Sequence, residues 1–250
     1  TARRYEHGAI FLHPNPGTLD EQIRLVDLVR DKSGDEFCLL LYCDPTFSIP
    51  SGTNMIEQTT WFCEHLDDAK REAERRVHAE LERCEKLAKH GGLDGFAMCS
   101  DYCFNDNPFL PPNMFAEVIT PYLAATISGL RSLGFYTIKH TDGNIMPILD
   151  QLVDAHPHAL HSLDPQAGVD IAEVKHRCGD RVCLIGNVNC GLLQSGSEEE
   201  VRDSARYCIR HGMPGYGYIF STSNCVYTGL PLERYELMWR VWHEEAIYPD

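Results

Sequence analysis

Imidazole, carboxylate and amide crowd one short stretch of this chain, His140-Thr141-Asp142-Gly143-Asn144, which follows the apolar run Gly134 to Lys139 and precedes a helix-like run. Histidine exchanges a proton or ligates a metal near neutral pH, and a carboxylate two residues away can share either task. Residues at the carboxyl end of a strand that feeds a helix project into the shared mouth of an α/β fold, where they can meet a substrate. Read alone, an Asp-Gly pair after a strand is turn chemistry, and Asp142 can equally cap the following helix. The same arrangement recurs downstream, however. Val182 to Ile185 runs into Gly186-Asn187-Val188-Asn189-Cys190, and Tyr216 to Phe220 runs into Ser221-Thr222-Ser223-Asn224-Cys225. Upstream, Leu93 to Cys99 leads into Ser100-Asp101-Tyr102, which is either substrate-facing or a plain loop start.

Helical patterns with recognisable ends separate these runs. Leu66, Ala69, Ala73, Val77, Leu81, Cys84 and Ala88 recur at helical spacing until Gly91-Gly92, and a second helix is expected from about Asn113 to Leu133. Ser197 with Glu200 forms a capping box, and Gly212 with Pro214 stops the helix between them. Candidate strands are Ala9 to Leu12, Phe37 to Cys43, Phe96 to Cys99, Phe135 to Lys139, Ala159 to Ser162, Val182 to Ile185 and Gly217 to Phe220. Alternating strands and helices imply parallel strands with right-handed crossovers, in a closed barrel or an open doubly wound sheet. No glycine-rich dinucleotide fingerprint appears, which favours the (β/α)8 TIM-type barrel. A closed eight-stranded barrel takes about 250 residues, and the chain has 250. One strand of the eight is missing from the pattern.

The ordered motifs from Leu93-Asp94-Gly95 through "HTDGN", "HSLDPQAGVDIAEVK", "GDRVCLIGNVNCGLL" and "GYIFSTSNCVYTGLPLERYELM" resemble the uroporphyrinogen decarboxylase superfamily, over roughly residues 36 to 250. The resemblance implies a (β/α)8 barrel whose amino-terminal part is incomplete or irregular here. It also implies one of two activities. Decarboxylases of the superfamily need no cofactor and hold substrate carboxylates with an arginine-rich stretch, an aspartate, a tyrosine and a late histidine. In this chain the tyrosine position falls near Ser51 and the histidine position at Asn224, so both groups are lost. The methyltransferase branch moves methyl groups between small substrates, corrinoid proteins and thiols, using zinc held by a His-x-Cys pair and a Cys beyond the last strand. Here His140 is kept, Asp142 replaces the first Cys, and the last position aligns at Asn224 with Cys225 beside it. Asn189 stands where the superfamily usually carries Asp.

The expected activity is therefore methyl transfer, with His140, Asp142 and Cys225 holding zinc. Cys225, like Cys190, reads more readily as a small buried residue than as a ligand, because free Cys is among the most buried types. His140, Asp142 and Asp101 are the candidate catalytic groups, and Tyr102, Asn144, Asn187, Asn189 and Asn224 the candidate substrate contacts. The alternatives are decarboxylation of a carboxylated tetrapyrrole or smaller acid, and a non-catalytic binding barrel that has lost its site.

Composition narrows the partners. A net charge of −15 disfavours nucleic acid, because binding phosphates needs clustered Lys and Arg. No run of eighteen apolar residues is present, so no membrane span is expected. Eleven Cys, several within apolar strand runs, point to reduced thiols in a cytoplasmic protein rather than a disulfide framework. Expected partners are a small-molecule substrate, a corrinoid protein and a second copy in a homodimer. Residues 1–250 read as one domain, with the "HPNPG" stretch from His13 to Gly17 as a connection between elements.

Overall fold

The computed structural model describes residues 7–12 and 17–248; most of the "HPNPG" connection lies outside them. The chain divides into two compact units: residues 1–100, 110–139 and 154–157 in one, and 101–109, 140–153 and 158–250 in the other.

The first unit carries β1 (Ala9–Phe11), α1 (Leu19–Ser33), β2 (Cys38–Tyr42), α2 (Met55–Glu64), α3 (Leu66–His90), β3 (Gly95–Cys99), α4 (Pro112–Val118), α5 (Thr120–Ser132) and most of β4 (Tyr136–Thr141). β1 pairs with β2 and β2 with β3, both parallel. Local chemistry sets the helix ends. Thr18 caps α1 and Glu21 reaches back to Thr18, a capping box that the sequence reading passed over. The helix expected from about Asn113 to Leu133 is two helices that meet at Ile119. Pro121 in the first turn of α5 has no N–H to donate, so the hydrogen-bond ladder cannot run through it. The apolar stripe of α3 buries Ala69, Ala73, Val77, Cys84 and Leu87, while Leu39, Leu40 and Leu41 of β2 are fully buried.

The second unit continues with α6 (Leu149–Asp154), β5 (Ala159–Ser162), α7 (Ile171–Cys178), β6 (Cys183–Val188), α8 (Cys190–Ser195), α9 (Glu198–Gly212), β7 (Tyr218–Thr222) and α10 (Leu232–Glu245). β5 pairs with β6 and β6 with β7, again parallel. The Ser197–Glu200 capping box opens α9 as the spacing predicts. Seven strands lie among the described residues, at the seven positions read from the sequence, and alternate with helices as an α/β fold requires. No eighth strand is seen there. None of the described helices is long and apolar enough to cross a membrane.

One polar pair sits in the core of the first unit. Lys139 on β4 has no solvent exposure, and its Nζ donates to Asp44 Oδ2 at 2.7 Å, to the Ser100 carbonyl at 3.0 Å and to the Met98 carbonyl at 3.4 Å. Three acceptors match the three protons of an ammonium. Removing one partner leaves a buried charge, whereas removing both does not. Asp44→Ala should therefore cost about 3–5 kcal/mol, and Asp44→Leu combined with Lys139→Met should recover most of it. Denaturant unfolding of the single and double variants checks this; equal costs would show that the Lys139 ammonium carries no burial penalty when it loses Asp44.

Candidate functional site

The candidate site lies in the second unit and grows from the end of β4. Alternation along that strand puts Thr137, Lys139 and Thr141 on its buried face and His140 on the other. At the strand end Thr141 Oγ1 accepts from the Tyr102 N–H at 3.0 Å. Gly143 follows in the left-handed region, φ 82°, with the carbonyls of Cys103 and Phe104 so close that any Cβ would clash. The Asn144 N–H then donates to the Phe104 carbonyl at 2.9 Å, and its Nδ2 to the Asp106 carbonyl at 2.9 Å. These bonds fold the 101–109 segment against the "HTDGN" turn and bring in Asp101, whose Oδ1 accepts from the Asp142 N–H at 3.1 Å.

Asp142 is held from both sides. Ser162 Oγ donates to its Oδ1 at 2.6 Å and Asn224 Nδ2 to its Oδ2 at 2.6 Å, so groups following β4, β5 and β7 converge on one carboxylate. His140 is held by a second histidine, Nδ1 of His140 lying 2.7 Å from Nδ1 of His161. His161 Nε2 in turn lies 3.3 Å from the Thr222 carbonyl. A carbonyl only accepts, so the Nε2 of His161 carries the proton. Burial above all, and then the neighbouring imidazole of His140, push His161 down to about 4, so at neutral pH its Nδ1 keeps a lone pair. His140 Nδ1 must be the donor to that lone pair. With Nδ1 committed to His161, the Nε2 of His140 faces Asp101 and Asp142, where it can carry a second proton or, without one, ligate a metal.

The remaining distances suit a cation between these groups. His140 Nε2 is 3.7 Å from Asp101 Oδ1 and 3.8 Å from Asp142 Oδ1, beyond hydrogen-bond reach. Ligand atoms tetrahedrally placed around zinc at about 2.0–2.2 Å stand roughly 3.3–3.6 Å apart. Ligand atoms of Asp101, His140 and Asp142 all lie within 4.8 Å of one another.

Of the residues expected from sequence, His140, Asp142, Asp101 and Asn224 come together. Cys225 is exposed and does not belong to this cluster of ligand atoms; its N–H donates to Asn224 Oδ1. Asp101 stands in its place. Asn187 donates Nδ2 to the carbonyls of Leu163 and Val169 and accepts from the Cys208 thiol, and Asn189 caps α8 through the N–H groups of Gly191 and Leu192. Both amides thus serve backbone, and both residues line a separate cavity of about 510 Å³ with Tyr207 and Ser204. Tyr102 is buried and Asn144 holds its turn. Sequence reasoning assigned nothing to His161 and Ser162. They end β5, and the rule that singled out His140 could have found them.

Strands alternating with helices and polar groups gathered at strand ends define an α/β enzyme-type scaffold. Residues 96–245, more than half of the chain, match the family model for uroporphyrinogen decarboxylase (URO-D), and the chain belongs to that family. A uroporphyrinogen decarboxylase from Thioalkalivibrio sulfidiphilus (strain HL-EbGR7) is 36% identical over 66 residues, a stretch that spans 26% of this chain and 18% of that protein. A methyltransferase from Methanosarcina mazei has the same fold, with a TM-score of 0.72 and 18% identity over 93% of this chain and 70% of the other. By their names, both relatives are enzymes.

The histidine relay has a measurable consequence. Unfolded, His161 titrates near its ordinary 6.5; folded, it titrates near 4. The unfolded chain takes up this proton first as pH falls, so the stability tied to a neutral His161 is complete above about pH 6.5 and drains away toward pH 4, by up to about 3 kcal/mol. Thermal unfolding across that window should show a slope that His161→Gln flattens. An unchanged slope in the variant would mean that His161 is protonated or solvated in the native state.

Proposed function

We propose that this protein is a metal-assisted methyltransferase of the uroporphyrinogen decarboxylase family, moving a methyl group between a small substrate and a thiol or corrinoid protein. The supporting observation is that His140 Nε2 faces two carboxylate oxygens at 3.7 and 3.8 Å, beyond hydrogen-bond reach of either. The donor set fits a zinc-class ion by its chemistry. Ligating histidines characteristically donate their other ring N–H, as His140 does to His161, and ligating carboxylates are themselves hydrogen-bonded, as Asp142 is by Ser162 and Asn224.

His140, Asp142 and Asp101 would hold the ion, leaving a position open as catalytic sites require. When bound, it supplies a Lewis acid that lowers the pKa of a coordinated thiol, so that sulfur attacks the methyl carbon as thiolate. The residues do the positioning. His161 keeps its proton on Nε2 against the Thr222 carbonyl and so keeps His140 Nδ1 protonated and its Nε2 available. Ser162 and Asn224 stop Asp142 from turning away. Asp101, its side chain about half exposed, stands on the solvent side of the cluster, where a substrate arrives.

The name of the Methanosarcina relative favours methyl transfer, and that of the Thioalkalivibrio relative favours a decarboxylase acting on a carboxylated tetrapyrrole or smaller acid. Metal analysis and assay separate them. Relative to the native chain, His140→Ala combined with Asp142→Ala should lose about one metal ion per chain by elemental analysis, and thiol methylation with a methylcorrinoid donor should fall at least roughly a hundredfold, as for loss of a metal's ligands. The variant should still fold, less stably, because Ser162 and Asn224 lose their acceptor and His161 its partner. Metal-independent turnover of a porphyrinogen, unaffected by these substitutions, would instead establish the decarboxylase.

A further inference from the structure

A second set of ligand-type side chains lies in the first unit. Glu80 and Cys84 stand four residues apart on α3 and so share one helix face, and Cys43 immediately follows β2. The Sγ atoms of Cys43 and Cys84 and a carboxylate oxygen of Glu80 all lie within 4.8 Å of one another. Both cysteines are buried, at 2% and 0% exposure, and their thiols hydrogen-bond each other. Glu80 receives the guanidinium fork of Arg83, Nε at 3.0 Å to Oε2 and Nη2 to Oε1, and Arg83 also donates to Gln22 Oε1 and the Tyr42 carbonyl. A cavity of about 490 Å³, lined by Cys43, Asp44, Arg76, Glu80 and Cys99 among others, opens beside the group.

We propose that Cys43, Cys84 and Glu80 form a binding site for a thiophilic divalent cation of the zinc class. Two considerations carry this. The first is charge. As thiols, Cys43 and Cys84 add no charge and Arg83 balances Glu80; a divalent ion that displaces their two protons brings the two positive charges that the resulting thiolates need, so the site is charge-balanced both empty and filled. The second is geometry. Two sulfurs bound to zinc at about 2.3 Å stand roughly 3.8 Å apart, so donors already within 4.8 Å close on an ion by small side-chain rotations. Thiolate ligands select zinc over magnesium and calcium. Arg83 holds the Glu80 carboxylate from one side and leaves lone pairs on both oxygens. The cavity leaves room for water as a fourth ligand. Binding releases the two thiol protons to solvent, and the ion takes their place on sulfur.

Cobalt(II) tests this because thiolate ligands give it a strong near-ultraviolet charge-transfer band, whereas a site of imidazole and carboxylates does not. Reduced, chelator-stripped full-length protein should develop that band to saturation at one equivalent of cobalt and lose it on adding zinc, with about two protons released per ion at a pH where free thiols are protonated. Cys43→Ser and Cys84→Ser should each abolish the band; Cys99→Ser, and His140→Ala with Asp142→Ala, should leave it. Glu80→Gln keeps both thiols and serves if a serine variant fails to fold; it should weaken cobalt binding at least roughly tenfold. No band in folded, reduced protein, or a band that survives both serine substitutions or Glu80→Gln at full affinity, would overturn the assignment. The proposal does not depend on the methyltransferase reading, since the readout involves neither His140 nor activity.

Discussion

A lysine without access to water must be neutral or fully paired, and Lys139 satisfies the second condition with one carboxylate and two carbonyls. That requirement constrains the whole of β4. Side chains alternate along a strand, so a shift of one residue would carry the ammonium out of its cage and His140 into it. An apolar residue at 139 would fill space without demanding three specific acceptors. The ion pair therefore does more to specify register than to add net stability, because two desolvated charges recover little more than they lose. The position of His140 rests on its neighbour's needs.

Beyond β4 the polar groups are arranged in a directed chain. The backbone carbonyl and the two imidazoles each leave the next group a single hydrogen-bonding role, beginning with the Thr222 oxygen, which can only accept. Direction matters because a neutral imidazole offers either of two nitrogens, and only one of them faces Asp101 and Asp142. Fixing the tautomer through a buried second histidine avoids placing another charge beside the carboxylates. Burial keeps His161 neutral at physiological pH, which is what lets its Nδ1 accept from His140 while its Nε2 donates to Thr222.

Much of this was legible in the sequence, and the reasons differ by element. All seven strands announced themselves as apolar runs bounded by turn residues, because buried parallel strands need no alternation to be recognised. The cap of α9 was legible as Ser197-x-x-Glu200, yet the equivalent Thr18-x-x-Glu21 of α1 was overlooked. The break at Ile119 was hidden because Phe115, Val118, Tyr122 and Leu123 keep helical spacing across it; Pro121 alone gave the signal. His140, Asp142 and Asn224 could be placed because strand ends are readable. The roles of Asn187 and Asn189 could not, since an amide that feeds its own turn looks the same in one dimension as one that faces a substrate. In the sequence Lys139 reads as the end of an apolar run, and its partner lies 95 residues away.

The departures from the superfamily's metal pattern make sense as a pair. Where the resemblance implies a cysteine after the histidine and another beyond the last strand, this chain has Asp142 and Asn224, and the two are hydrogen-bonded at 2.6 Å. Neither substitution fits alone. A carboxylate at 142 needs a donor to hold its second oxygen, and a cysteine at 224 would supply only a weak S–H. An amide at 224 opposite a thiolate at 142 would likewise lose a strong acceptor. In the proposed metal-assisted reading, the pair exchanges two soft sulfur ligands for one hard, well-anchored oxygen ligand, with Asp101 adding a second. Such a set favours a harder cation than the sulfur-rich pattern does, while the thiol pair at Cys43 and Cys84 retains the softer preference. By ligand chemistry alone, then, both clusters suit a zinc-class ion, and the thiol pair is the more thiophilic of the two.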